Sequence, residues 1–193
     1  MKILDRPIGP GHRPYLIAEM SGNHNQSLER ALAIVDAAAA NGADAIKLQT
    51  YTADTMTLNL RMPGFVIEDP KSLWAGRQLY ELYEEAHTPW DWHAPIMERA
   101  ASHGMHCFST PFDFSSVDFL ESLNVPAYKI ASFENTDLPL IRRVAATGKP
   151  MIVSTGMATA GEIDGLVRVA RNAGCPDLVL RKRTSTYPAA AGD

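Results

Sequence analysis

Six short β-rich runs, each followed by a stretch of helical character, pattern this 193-residue chain and restrict its fold more than any other feature. They are Tyr15–Glu19, Asp44–Gln49, Met105–Thr110, Ala127–Ser132, Pro150–Thr155 and Asp177–Lys182. From the third onward they begin at 105, 127, 150 and 177, so 22, 23 and 27 residues apart, the period of one βα unit. Such alternation calls for a parallel sheet joined by right-handed crossovers. Helix signals fall between the runs. Ser27 and Gly42 cap an Ala-rich amphipathic helix over Leu28–Asn41. Thr88-Pro89-Trp90-Asp91 places an N-cap, a proline and an acid at the head of a helix that ends near Gly104. Asp113–Leu123 and Asp137–Thr147 read as two more, and Thr159-Ala160-Gly161-Glu162 is a capping box before a helix ending at Gly174. Residues 51–87 break the rhythm: a long excursion with a turn at Arg61-Met62-Pro63-Gly64 and an extra helix at Leu79-Tyr80-Glu81-Leu82-Tyr83.

Two architectures fit six βα units: a doubly wound sheet, or part of a (βα)8 barrel. No Gly-x-Gly-x-x-Gly follows the first run, and Gly9-Pro10-Gly11 precedes it, so a dinucleotide fold is weakly supported. The strand interiors favour the barrel. Alternation puts Ala45, Lys47 and Gln49 on one face and Ile46 and Leu48 on the other. Ala127, Lys129 and Ala131 likewise oppose Tyr128 and Ile130. A doubly wound sheet buries both faces and reads apolar on both. A barrel that holds a polar ligand at its mouth carries small and charged groups inward near the carboxyl ends of its strands. The expected fold is therefore an α/β (βα)8 TIM barrel, truncated to about six βα units, because a full barrel takes about 250 residues.

Composition narrows the function. With 18 basic and 22 acidic residues the net charge is −4, which disfavours a bulk nucleic-acid or anionic-membrane surface. Hydrophobic residues at 46% and charged residues at 21% are those of a soluble globular domain. No apolar run approaches the ~20 residues of a membrane helix. Met-Lys-Ile-Leu-Asp-Arg-Pro lacks the layout of a signal peptide, so a cytoplasmic protein is expected. Cys107 and Cys175 suggest neither a disulfide framework nor a zinc site.

The strand ends carry Glu19, then Lys47 with Gln49, Ser109 with Thr110, Lys129 with Ser132 and Glu134, and Ser154 with Thr155. Two lysines at equivalent inward positions of neighbouring units, with hydroxyls beside them, would make an anion site for phosphate or carboxylate. A lysine that merely snorkels is the plain alternative for either one alone. Glu19 reads equally as a catalyst or as the structural partner of a lysine. His24 reads as a ligand or as a residue that orders its loop. His87, His93, His103 and His106 read as structural, and no His/Asp/Glu spacing suggests a metal. Trp74, Trp90, Trp92, Tyr80 and Tyr83 read as packing of the excursion against the outside of the barrel.

Six ordered motifs then resemble the sialic acid synthase family. They are Ala18-Glu19-Met20-Ser21-Gly22-Asn23-His24, Gly42-Ala43-Asp44-Ala45-Ile46-Lys47-Leu48-Gln49-Thr50, Phe108-Ser109-Thr110-Pro111-Phe112, Tyr128-Lys129-Ile130-Ala131-Ser132, Ser154-Thr155-Gly156-Met157 and Thr184-Ser185-Thr186-Tyr187-Pro188. Tyr51–Leu58, Leu79–Glu84 and Thr88–His93 most resemble the pseudaminic acid branch of that family, with the N-acetylneuraminate branch as the alternative. The resemblance implies condensation of phosphoenolpyruvate with an N-acetylated amino sugar. In the first branch the sugar is 2,4-diacetamido-2,4,6-trideoxy-L-altrose and the products are pseudaminic acid and phosphate; in the second the sugar is N-acetylmannosamine. By the same resemblance Lys47, Thr110, Lys129, Ser132 and Ser185 hold phosphoenolpyruvate, and Gln49, Glu134, Ser154 and Tyr187 line the sugar side. Glu19 stands beside the reacting carbons as the catalytic residue. A divalent metal, Mn²⁺ or Mg²⁺, polarises the sugar aldehyde, and the full-length family is expected to form homodimers.

The chain also departs from that family. Two strands, the stretch that carries both metal-binding histidines in the family and the C-terminal antifreeze-like domain are missing by this reading, so residues 1–193 read as the N-terminal part of the barrel domain, with the antifreeze-like domain absent and no metal ligand in this chain. A non-catalytic fragment that only binds ligand is then an alternative to an active enzyme. Open outer strands would also invite aggregation. Arg181-Lys182-Arg183 stands where the family usually has an apolar–Lys–Cys run, and alternation puts Arg181 and Arg183 on the face of Ser185. A class I aldolase using Lys129 or Lys182 as a Schiff base is the rival chemistry.

Overall fold

The structure, a computed structural model, describes residues 1–182. The chain opens with an antiparallel ribbon, β1 (Lys2–Ile3) and β2 (Arg6–Pro7). Strands of two residues are too short to show any alternation, and the sequence did not announce them. There follow β3 (Ile17–Glu19), α1 (Leu28–Ala40), β4 (Ala45–Thr50), α2 (Ala53–Met56), α3 (Leu79–Ala86), α4 (His93–Ser102) and β5 (His106–Pro111). Then come α5 (Phe114–Ser122), β6 (Tyr128–Ile130), α6 (Leu138–Ala145), β7 (Met151–Ser154), α7 (Ala160–Asn172) and β8 (Leu178–Arg181). Strands β3 to β8 form one parallel sheet in sequential order, each joined to the next through helix. This is the α/β, (βα)-barrel type of sheet that the strand patterns required.

The chain packs as two compact units whose boundary falls inside β5. In the first, Ile17–Cys107, α1 and α4 bury Ala31, Val35, Ile96 and Ala100 against Ile46 and Leu48 of β4. Those two β4 residues are buried in that core while Lys47 and Gln49 are only partly covered, as alternation requires. Ser27 caps α1 through Oγ, which accepts the Arg30 N–H at 3.2 Å. In the excursion, the Tyr51 and Tyr83 rings meet edge-to-face at 5.8 Å and the Tyr80 hydroxyl donates to Asp54 at 3.0 Å. The expected turn forms, with Phe65 N–H donating to Met62 O at 3.0 Å and Gly64 at φ +86°.

Two readings of this unit need correction. Thr88 is not a helix cap: its Oγ1 lies 3.2 Å from Nε2 of the buried His24, whose ring nitrogen needs a partner more than an exposed helix end does. A 3-10 turn over Trp90–Trp92 intervenes instead, and α4 starts at His93 without a side-chain cap. Trp74, expected to pack, is 49% exposed, while Trp92 stacks edge-on to His24 at 5.5 Å.

The second unit comprises Met1–Leu16 and the chain from Phe108 onward. Its core gathers Val117 and Leu120 of α5, Leu140, Ile141 and Val144 of α6, Leu166 of α7, and Tyr128, Ile130, Met151 and Val153 from the sheet. Tyr128 donates its hydroxyl to Glu121 at 2.6 Å, and Lys149 pairs with the same carboxylate at 2.7 Å. This draws Tyr128 toward the helices and leaves Lys129 on the opposite face. Asp113 caps α5 and the Thr159–Glu162 capping box opens α7, both as expected.

Candidate active site

The two units each bring part of the expected site together. In Ile17–Cys107, the parallel register sets Glu19 of β3 beside Lys47 of β4, and their side chains form an ion pair. Glu19 also accepts the N–H of Ser21 at 3.2 Å. Glu19 is thus the partner of a lysine, one of its two readings, and the pairing fixes its carboxylate at the carboxyl end of β3. Gln49 follows two residues after Lys47 on the same face.

The loop after β3 is held by groups distant in sequence. Ser21, Asn25 and Gln26 all adopt positive φ, at 49°, 47° and 54°, a region costly for residues with a Cβ. Gln26 Nε2 offsets this by donating to Glu85 O at 2.8 Å and His87 O at 2.7 Å, at the end of α3. His24, fully buried, accepts the Gln26 N–H at 3.2 Å. His24 therefore orders the loop. Burial holds its pKa below the ordinary histidine value, with the nearby His87 adding to the effect.

In the second unit the register builds a row. Ser109 of β5 pairs with Tyr128 of β6, so one residue on Thr110 stands beside Lys129. Lys129 pairs in turn with Ile152 of β7, and alternation puts Ser154 on that same face. Thr110 and Ser154 are buried, and Lys129 is only 6% exposed, its ammonium donating to Ile130 O at 2.5 Å. Three of the expected ligands thus share one face at the carboxyl ends of neighbouring strands. Lys47 and Lys129 do not belong to consecutive βα units, however: along the chain β5, which carries Thr110, comes between β4 and β6.

Ser132 and Glu134 lie just beyond β6. The Ser132 Oγ and the Glu134 Oε2 are buried and, among the described residues, have no hydrogen-bond partner, which leaves both open to a ligand. Burial pushes the Glu134 carboxyl above the usual range; its own backbone N–H and the Lys129 charge pull it partly back. The loop is pinned by Asn135, which no sequence motif marks. Its Nδ2 donates to Ser154 O at 3.2 Å and Thr155 O at 2.7 Å. An asparagine in a loop reads only as a turn former, so nothing local signalled that clamp. Gly156 is the second restraint: at φ +52°, a Cβ there would lie 2.6 Å from the Ser132 Cβ. Gly156→Ala is expected to displace Ser132 and to lower stability by about 1–2 kcal/mol through left-handed strain. Thermal unfolding and the Ser132 Cβ resonance read the two effects; an unmoved resonance would remove Gly156 from the site.

Ser185 and Tyr187 lie outside the described residues. Lys182, the alternative Schiff-base lysine, is exposed beyond the end of β8. Among the described residues no group of three or more His, Cys, Asp or Glu is placed to hold a metal ion. Also among the described residues, no helix is long and apolar enough to cross a membrane.

The model of the NeuB family matches residues 34–193. The chain is 49% identical over 179 residues to a pseudaminic acid synthase of Campylobacter jejuni, covering 93% of this chain and 52% of that protein. It is 44% identical to a pseudaminic acid synthase of Helicobacter pylori, again over 93% of this chain and 52% of the relative. The chain thus spans about half the length of the curated relatives it matches. Among solved structures, an N-acetylneuraminic acid synthetase of Leptospira borgpetersenii superimposes with a TM-score of 0.83 at 26% identity, over 99% of this chain and 61% of that one. The parallel sheet, the row of lysine and hydroxyls at its carboxyl ends and a family match reaching from α1 onward agree, and the chain belongs to the NeuB family.

Proposed function

We propose that this chain carries the phosphoenolpyruvate- and sugar-binding strands of a pseudaminic acid synthase. The observation that carries this reading is the Thr110–Lys129–Ser154 face, in a chain 49% identical to a named pseudaminic acid synthase. The reaction joins phosphoenolpyruvate to 2,4-diacetamido-2,4,6-trideoxy-L-altrose. The enolpyruvate methylene carbon attacks the sugar aldehyde, forming the C–C bond and leaving positive charge at C2. Water adds to C2, and the proton it gives up ends on the alkoxide formed from the aldehyde oxygen. The tetrahedral intermediate then breaks its C2–O bond to phosphate, giving the 2-keto acid and inorganic phosphate.

Lys47, Thr110, Lys129, Ser132 and Ser185 are assigned to the phosphate and carboxylate of phosphoenolpyruvate, because ammonium and hydroxyl donors match those oxygens. Gln49, Glu134, Ser154 and Tyr187 are assigned to the sugar. Glu19, an anion paired with Lys47, is assigned to the developing positive charge at C2. Metal dependence, a homodimer and a cytoplasmic location belong to the same proposal. The plain test is phosphate release from phosphoenolpyruvate, with Mn²⁺ supplied, against the diacetamido-altrose and N-acetylmannosamine in parallel. Release with the first sugar is expected. Release with N-acetylmannosamine alone would move the protein to the N-acetylneuraminate branch, and no release with either would make this chain a binding fragment.

A further inference from the structure

The Arg181-Lys182-Arg183 run is a charged sequence feature that the proposed function leaves unused. The sheet register gives its first member a place. Ser154 of β7 pairs with Arg181 of β8, and Ile152 pairs with Val179. In a parallel sheet, residues in register project from the same face, so Arg181 shares the face of Ser154, and through Ile152 that of Lys129. Leu180, which is 42% exposed, falls on the other face. The row holding Arg181 lies one step nearer the carboxyl ends than the row holding Lys129. Between β8 and β6 that row carries only small residues: Ser154, and Ala131 just after the Ile130↔Val153 pair. Nothing bulky on that row separates a guanidinium on β8 from the space above Lys129.

Arg181 is anchored through its backbone and not through its charge. Its carbonyl accepts the N–H of Thr155 at 3.0 Å and the Thr155 hydroxyl at 3.4 Å. Among the described residues its exposed guanidinium forms no ion pair. A planar donor fork of this kind suits the two oxygens of a carboxylate or a phosphate better than an ammonium does.

Resting on the reading of this face as a phosphoenolpyruvate site, we propose that Arg181 is a further anion-binding residue. It adds a bidentate contact to the phosphate or carboxylate held by Lys129. The group it holds is an oxyanion, and two probes that each carry one of the candidate groups separate the sources.

The test is calorimetric binding of phosphoenolpyruvate, pyruvate and inorganic phosphate to the whole chain and to Arg181→Gln and Arg181→Lys. Arg181→Gln is expected to weaken phosphoenolpyruvate at least tenfold with an unchanged melting temperature. Arg181→Lys is expected to recover part of that loss, since charge returns without the fork. Whichever of pyruvate and phosphate weakens in parallel names the group that Arg181 holds. Equal affinity of wild type and Arg181→Gln would overturn the inference while leaving the reading of the face intact. Equal affinity with more aggregation would assign Arg181 to protection of the outer strand instead. If the wild-type chain binds none of the three anions, the reading of the face fails and this inference fails with it.

Discussion

Lys129→Met is expected to weaken phosphoenolpyruvate binding by one to two orders of magnitude and to leave the fold intact. Lys129 is 6% exposed on β6, beside Thr110 and on the face of Ser154. A hydrogen bond to a charged group contributes about 1.5–3 kcal/mol, which converts to roughly 10- to 100-fold in affinity. Methionine keeps the length and most of the volume of lysine, so the core under β6 does not collapse. The substitution also relieves the burial of an ammonium, and the melting temperature should hold or rise. The Lys129 charge restrains the upward displacement of the Glu134 pKa, so that carboxyl is expected to titrate higher still in the variant. Isothermal calorimetry supplies the affinity and carboxyl NMR titration the second readout. Unchanged affinity would return Lys129 to a structural role. Borohydride reduction in the presence of substrate separates the aldolase alternative, since the synthase reaction forms no imine and none should be trapped.

The second large effect is on stability at low pH. His93 is fully buried, with Nε2 2.8 Å from the Thr50 hydroxyl and Nδ1 3.3 Å from Pro89 O. A carbonyl can only accept, so Nδ1 carries the proton and Nε2 accepts from Thr50. Burial lowers the His93 pKa to about 4 from 6.5, with the neighbouring carbonyls and Asp91 resisting. In the unfolded chain the ring takes up a proton below pH 6.5, while in the native protein it stays neutral until about pH 4. Stability is therefore full above pH 6.5 and falls as the pH drops toward 4. The gap between 6.5 and about 4, at roughly 1.4 kcal/mol for each pH unit, amounts to about 3 kcal/mol. Carboxylates titrate in the same range, so the difference between proteins is the useful quantity. Urea unfolding of wild type and His93→Gln between pH 7 and 4 should show the wild type losing the larger amount, and parallel curves would refute the assignment. His24, also buried and also displaced downward, steepens the same slope.

Each strand carried its own evidence in one dimension. Ile46 and Leu48 facing α1 and α4, with Lys47 and Gln49 on the other side, follow from a period of two and from the cost of burying charge. The capping box at Thr159 is equally local, a hydroxyl and a carboxylate three residues apart. Thr88 shows the limit. It has the local signature of a cap, yet its hydroxyl is taken by a histidine 64 positions earlier in the chain. Asn135 shows the same limit from the other side, since its amide is spent on carbonyls 19 and 20 residues away.

The sequence by itself determined the class of sheet and the inward faces of β4 and β6, because periodicity, capping and charge act over a few residues. Tertiary structure decided what those residues do to one another. It put Glu19 against Lys47, set Thr110 beside Lys129 and, among the described residues, left the Ser132 hydroxyl without a partner. It also brought Arg181 into register with Ser154. Register between strands is set by the packing of whole faces, and no residue encodes it alone.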